Sequence, residues 1–270
     1  MPNMTTPNKI LMKLSYQASK RKKMLYDREL SIDEIPKIFP SRNDSYYYFH
    51  GYFWHRAPSW LRKHRAYFAK DNRGFGEDAF HAFWYLLFLG ICPKRCLEIG
   101  VYRGQTISLW RLVSEHLGIQ TEIHGISPFT PAGDDVSSYR NDINYYEDVL
   151  GHFRFLELHP PTLHVGLSKD PEMVAVIDKG AWDLIYIDGS HDYEDVKKDV
   201  LHSASSISKN GYIVLDDSSL FTDYSPLRFA SKGHPGPSSV ADEMGILGFG
   251  EVVSVGHIRA FRRLQGDQPK

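Results

Sequence analysis

The chain has 270 residues, a formal charge of −1 and two cysteines. That length allows one α/β domain with an N-terminal elaboration, and a near-neutral charge supplies no global attraction to nucleic acid or to an anionic membrane. Two cysteines, Cys96 inside an expected strand, exclude a disulfide framework. No apolar run approaches the roughly 20 residues of a membrane span, so a cytoplasmic protein is expected.

Residues 1 to about 25 are polar and basic, densest at Lys20–Lys23, and read as a solvated tail. Ser31 and Glu34 are spaced as a capping box for a short helix running to Phe39, before Pro40. From Tyr46 to Phe68 the sequence is dense in aromatics, among them Tyr48, Phe49, Trp54 and Trp60. Packing against the main domain is the expectation for them, with substrate stacking or a dimer interface, hence a homo-oligomer, as alternatives. Residues 1–75 are therefore expected as a helical, aromatic-rich extension to a domain of residues 76–270. A helix over 79–89 delivers the chain to a first strand, Arg95–Gly100. A turn carrying Gly104 and a helix through Ile107 and Val113 follow. Glycines there let the backbone come close to a ligand, but the spacing from Glu98 to Gly104 is not that of a dinucleotide cradle. A second strand covers 121–126, a helix 144–156, a third strand 163–165, and Asp170-Pro171 opens another helix.

The stretch from Trp182 to Asp217 carries the chemistry. Leu184–Ile187 is a short buried strand that stops on Asp188-Gly189, and a helical period follows to Ser206. Asn210-Gly211 reads as the cap of that helix, and Tyr212–Leu215 is a second buried strand stopping on Asp216-Asp217. A right-handed crossover brings both strand ends to one sheet edge, so Asp188, Asp216 and Asp217 converge although 28 residues separate the first two. Three crowded carboxylates repel one another unless a cation neutralises them, and hard oxygen ligands suit Mg²⁺ or Mn²⁺. Read singly, each acid is better explained as a solvated loop residue or a helix cap; the acid at one strand end together with the pair at the next carries the metal reading. His191, three residues after Asp188, is a candidate general base or a structural imidazole. A long loop from 218 to 237 is expected to shape an acceptor pocket, a short helix covers 239–247, and an antiparallel hairpin turning at Gly256 ends the domain.

Residues 97–104, LEIGVYRG, resemble the first motif of class I S-adenosylmethionine-dependent methyltransferases. IDGSHDYEDVKKDV followed by GYIVLDD resembles the second half of metal-dependent small-molecule O-methyltransferases related to macrocin O-methyltransferase. The resemblance covers roughly Gly76 to Arg263. It implies a seven-stranded, doubly wound, mostly parallel Rossmann-like sheet and transfer of a methyl group from S-adenosylmethionine to a hydroxyl of a sugar or other small molecule. It also implies a divalent metal (Mg²⁺ or Mn²⁺) on Asp188, Asp216 and Asp217, with His191 and Asp188 catalytic. The cofactor-binding set expected here is Glu98, Gly100, Tyr102, Gly104, Thr106, Ser127, Gly166, Ser168 and Asp188. Ser127 stands where the superfamily usually has a ribose-gripping acid, and Asp134 or Asp135 is the alternative. A hydroxylase-like relative of the same fold and a non-catalytic sugar- or partner-binding module are the competing functional readings.

Overall fold

The computed structural model describes residues 29–131, 139–227 and 230–264. The basic run Lys20–Lys23, the alternative ribose acids Asp134 and Asp135, and Phe229 of the long loop lie outside them. Seven strands form one sheet: β1 (Arg95–Ile99), β2 (Glu122–Ser127), β3 (Thr162–Val165), β4 (Trp182–Ile187), β5 (Ile207–Leu215), β6 (Phe249–Val255) and β7 (Ile258–Arg263). Their order is β3-β2-β1-β4-β5-β7-β6, parallel except for β7, which runs antiparallel to both β5 and β6. The chain therefore winds outward from β1 to β3 and returns beside β1 as β4. That return creates a switch point between β1 and β4, where a crevice opens at the carboxyl ends.

Nine helices lie among the described residues. They are α1 (Ile35–Ile38), α2 (Arg42–His55), α3 (Ser59–Phe68), α4 (Asp78–Ile91), α5 (Gln105–Leu117), α6 (Tyr145–Phe155), α7 (Pro171–Lys179), α8 (Tyr193–Ser206) and α9 (Pro235–Glu243). Strand side chains alternate between faces, and this alternation builds two cores. Cys96, Leu184, Tyr186, Tyr212 and Val214 face a core that includes α2, α4 and α5, with Phe49, Phe83 and Trp110 fully buried in it. Leu97, Ile99, Ile185, Ile187, Ile213 and Leu215 face the other, against Val196 and Val200 of α8 and Val240 of α9.

The aromatic stretch packs as expected. Tyr46, Tyr48, Phe49, Tyr52 and Phe53 of α2 are buried, and Phe49 meets Phe83 of α4 edge-on at 5.8 Å. Trp54 stays 52% exposed. At the start of the described chain the Glu34 carboxylate accepts from the Ser31 N–H at 3.0 Å and the Ser31 hydroxyl at 2.9 Å. This half of a capping box closes a turn before α1.

Two boundaries differ from the sequence reading. Helix α8 ends at Ser206 with Ile207 extended, and Asn210-Gly211 lies inside β5. Trp182 pairs with Ile207 and Leu184 with Tyr212, so the strand bulges between those pairs. A Cβ on Gly211 would sit 2.8 Å from Ile207 Cγ1 and 3.0 Å from the Asp183 carbonyl oxygen, so the glycine serves the bulge. Helix α9 begins at Pro235, four residues before the expected start at Ser239, because the fixed φ of proline suits a first helical turn.

Candidate active site at the carboxyl edge of the sheet

Register brings the site together. Ile99 pairs with Ile187 and Ile187 with Leu215, so the residues that follow, Gly100, Asp188 and Asp216, begin three turns side by side. The Asp188 N–H donates to the Ile99 carbonyl at 2.8 Å and the Asp216 N–H to the Ile187 carbonyl at 3.0 Å, which extends the ladder one residue past each strand. Strand parity then sorts the side chains. Glu98, Asp188 and Asp216 follow Cys96, Tyr186 and Val214 onto the face covered by α4 and α5, whereas Asp217 has the opposite parity. Asp217 also adopts a left-handed conformation, φ 47°, which costs a non-glycine residue energy and marks a held geometry.

On the first face the carboxyls crowd. Burial pushes the Glu98 acid up to about 8 despite hydrogen bonds from the Thr106 hydroxyl and the Ile107 N–H, and Asp216 adds to the rise. Asp188 is raised well above the usual carboxylate range by burial and then by Asp216 and Glu98; it donates its proton to Asp216. Asp216 is raised too, by burial and by Asp217, against the pull of His257. Glu98 Oε2 and Asp216 Oδ1 are buried without a hydrogen-bond partner. Two orphaned acid oxygens in one crowded corner are expensive unless a ligand completes them.

Around Asp217 the partners are imidazoles. His191 Nε2 lies 3.1 Å from Asp217 Oδ2, and the His191 and His234 rings are 4.2 Å apart. Although burial opposes it, the hydrogen bond from His191 and the charges of His257 and His234 hold the Asp217 acid below its ordinary value. An ionised carboxylate only accepts, so Nε2 carries the hydrogen in that contact, and the neutral His191 ring has its lone pair at Nδ1. His257, in the turn between β6 and β7, places Nε2 3.4 Å from Asp216 Oδ1. Burial opposes its protonation, but Asp216, Asp217 and Glu77 together raise its pKa. Among the described residues two sets of donors have ligand atoms within 4.8 Å of one another, His191, Asp217 and His234, and Asp216, Asp217 and His257; Asp188, expected as a ligand, is in neither.

The turn after β1 is held by the protein itself. Gly100 has φ 103°, and a Cβ there would lie 2.1 Å from the Asp188 carbonyl oxygen, so this glycine admits the neighbouring turn. Gly104 (φ 77°) caps α5 and abuts Val149 of α6. Tyr102 stacks on Phe75 at 5.3 Å and lies 5.4 Å from Tyr145; burial and Tyr145 push its phenol up to about 12. Arg103 forks onto Asp148 at 2.6 and 3.1 Å and donates to the Asp71 and Asn72 carbonyls at 3.1 and 3.2 Å. At the β2 end the buried Ser127 hydroxyl accepts from the Phe129 N–H at 3.4 Å. Gly166 abuts Met173 and Asp170, and the Ser168 hydroxyl bonds Asp199 of α8.

Glu98, Asp188, Asp216, Asp217 and His191 thus meet at one edge, Tyr102, Gly104 and Thr106 form its β1–α5 border, and Ser127 closes β2. Sequence reading gave no role to His257, Glu77 and Arg103, and took His234 only as part of the loop expected to shape an acceptor pocket. His234 carried one signal, its position just before Pro235-Gly236 at the end of a long loop. His257 read as a strand residue, because only the pairing of β7 with β5 shows that the hairpin turn reaches the acids.

Residues 97–218 match the family model of a methyltransferase domain. The fold is that of the class I methyltransferases. A SAH-bound methyltransferase from Podospora anserina superposes with TM-score 0.53 at 15% identity, over 77% of this chain and 89% of the other. A putative caffeoyl-CoA O-methyltransferase from Staphylococcus aureus gives 0.55 at 12% identity over 77% and 92%. An O-methyltransferase from Bacillus cereus, in complex with SAH, gives 0.52 at 13% identity over 77% and 93%. Comparison with curated protein sequences finds no significant match.

The cavity beside the β1–β4 switch point is lined by Asp188, His191, Asp216, Asp217 and Pro237. The donor set fits a divalent cation. Asp216 and Asp217 come together with His257, and Asp217 with His191 and His234, beside an orphaned Asp216 oxygen, a balance of hard and borderline ligands; Asp188 adjoins this centre through its hydrogen bond to Asp216. No helix among the described residues is long and apolar enough to cross a membrane. Cys92 and Cys96 are both free, as expected.

Proposed function

We propose that the protein is an S-adenosylmethionine-dependent O-methyltransferase acting on a hydroxyl of a small molecule, with Asp188, Asp216 and Asp217 as ligands to a divalent ion, Mg²⁺ or Mn²⁺. One observation carries the reading: Asp216, hydrogen-bonded to Asp188 and grouped with Asp217 and His257, keeps an orphaned buried oxygen at the carboxyl edge of a methyltransferase fold. Within that fold the strand-end acids and the D-G-x-H loop favour the macrocin-like subgroup.

S-adenosylmethionine, when bound, supplies a methyl group already activated by its sulfonium, and a divalent ion would supply Lewis-acid lowering of the acceptor hydroxyl's pKa. The chain does the remainder. Glu98 and the Gly100–Gly104 turn hold the amino-acid and adenosyl portions; Tyr102, Thr106, Ser127, Gly166 and Ser168 border the same pocket. His191 takes the acceptor proton at Nδ1 while Asp217, bonded to Nε2, fixes the ring and stabilises the imidazolium, the logic of a base oriented by a third group. Acceptors bearing neighbouring hydroxyls, on a sugar or a catechol, suit such a centre because two oxygens chelate. Free cysteines fit a reducing cytoplasm.

The test is release of S-adenosylhomocysteine from the full chain incubated with S-adenosylmethionine, Mg²⁺ and a panel of vicinal diols and catechols. Turnover with at least one acceptor, abolished by EDTA and restored by Mg²⁺ or Mn²⁺, is the expected result. Turnover that EDTA leaves untouched removes the metal from the mechanism, and a chain whose melting temperature S-adenosylmethionine does not raise is no methyltransferase.

A further inference from the structure

We propose that His257 is a ligand of the same divalent ion, so that the centre prefers Mn²⁺, Co²⁺ or Zn²⁺ over Mg²⁺. The inference rests on the metal-assisted reading above and adds to it a nitrogen donor from the terminal hairpin, beyond the residues matched by the methyltransferase domain.

Geometry supports it in three ways. First, the His257 ring is aimed. Its Nδ1–H donates to the Ser231 carbonyl at 3.4 Å, and since a carbonyl only accepts, Nε2 is the nitrogen turned to the acids, 3.4 Å from Asp216 Oδ1. A backbone carbonyl on one ring nitrogen is the usual arrangement behind a metal-bound histidine, because it sets the tautomer and the ring plane. Second, the ring is fixed from other sides. Phe80 packs edge-on at 4.8 Å, and the His257 carbonyl accepts from the Ser218 N–H at 2.8 Å and its hydroxyl at 3.1 Å, tying the hairpin turn to the residue after Asp217. Third, Asp216 Oδ1 is buried and has the 3.4 Å contact with His257 but no hydrogen bond. Asp216, Asp217 and His257 each offer a ligand atom within 4.8 Å of the others.

An imidazole changes which ion is preferred. Oxygen-only sites suit Mg²⁺, which is small and keeps its waters, whereas nitrogen donors favour first-row transition ions and zinc. Nothing in the sequence spacing points to this, because His257 lies 40 residues beyond Asp217. On this arrangement Asp216, Asp217 and His257 would hold the ion from the end of β5 and the β6–β7 turn, Asp188 would join them from the end of β4 beside Asp216, and His191 remains across Asp217 to handle the proton.

The experiment is calorimetric titration of the metal-free full chain with MnCl₂ and with MgCl₂, in wild type, His257→Ala, His257→Gln and Asp188→Asn, with the electron spin-echo spectrum of bound Mn²⁺ as a second readout. Wild type is expected to bind Mn²⁺ at least about tenfold more tightly than Mg²⁺. Both His257 variants should lose about tenfold to a hundredfold in Mn²⁺ affinity and a nitrogen hyperfine coupling, with Mg²⁺ affinity changed less than about threefold. Thermal melting checks that at least one of the two variants is folded, and glutamine, which keeps a polar side chain, is the safer. If Asp188→Asn loses Mn²⁺ while both His257 variants keep wild-type affinity and an unchanged nitrogen coupling, the inference falls and the proposed function stands. If wild type binds neither ion, both fall.

Discussion

Asp199 lies on α8, 3% exposed, and its acid is pushed up to about 7 by burial, with Asp195 adding and the Ser168 hydroxyl, His202 and Lys169 opposing. An unfolded aspartate titrates near 4, so between about pH 4 and 7 the folded state keeps a proton that the unfolded state has released. Stability therefore falls as pH rises through that window and levels off above it. An asparagine side chain at this position would be neutral throughout. Between about pH 5 and 8, wild type should lose about 2 kcal/mol more stability than Asp199→Asn, read from urea midpoints; parallel pH profiles for the two proteins would refute the assignment. Asp199 was not legible, since an aspartate at a helical position reads as solvated. Strand-end acids were legible, because a buried apolar run that stops on Asp188 or Asp216 leaves the acid one place to go. Gly100 was legible as a close approach, but what approaches is the Asp188 backbone, which no local sequence signal reveals.

Among the elements, the β1–α5 turn is the one most heavily pinned. Arg103 is buried and joins it to Asp148 of α6 and to the Asp71–Asn72 carbonyls that precede α4; Asp148 is held far below the usual carboxylate range, burial notwithstanding, by His152 and Arg103. Removing the guanidinium leaves that acid with His152 alone, at 3.2 Å. Arg103→Ala should cost about 3 kcal/mol in urea unfolding, and Arg103→Lys should recover only part, since an ammonium cannot fork; an alanine variant within about 0.5 kcal/mol of wild type would show that the clamp carries no weight. Strand β4 was legible because Leu184–Ile187 is a short apolar run that stops on Asp188. Asn210-Gly211 misled because the same dipeptide serves a helix end and a strand bulge, and only the pairing of Trp182 with Ile207 decides.

At the scale of the whole molecule, the extension and the sheet share one core. Phe49 of α2 is fully buried, meeting Phe83 of α4 and Tyr48, both at 5.8 Å, in a cluster that continues to Trp110 and Tyr186. Phe49→Ala should therefore lower stability by about 4 kcal/mol, with one transition seen alike by far-ultraviolet circular dichroism and tryptophan fluorescence. Two resolved transitions, only the first shifted, would mean that residues 29–75 unfold as a separate unit. Topology was legible because right-handed crossovers and a terminal hairpin admit few alternatives. Packing of α2 on the main domain was expected from its aromatics, but which of its sides faces the domain was not legible, because those aromatics lie all round the helix and no period marks a face.

Asp188 is the residue on which the metal-assisted account turns, so turnover and cofactor affinity of Asp188→Ala, measured with an acceptor that wild type methylates, is the most direct test. A loss of about a hundredfold or more in kcat is expected, with S-adenosylmethionine affinity falling much less, by about tenfold at most. An Asp188→Ala protein that methylates as fast in EDTA as wild type does in Mg²⁺ would contradict it.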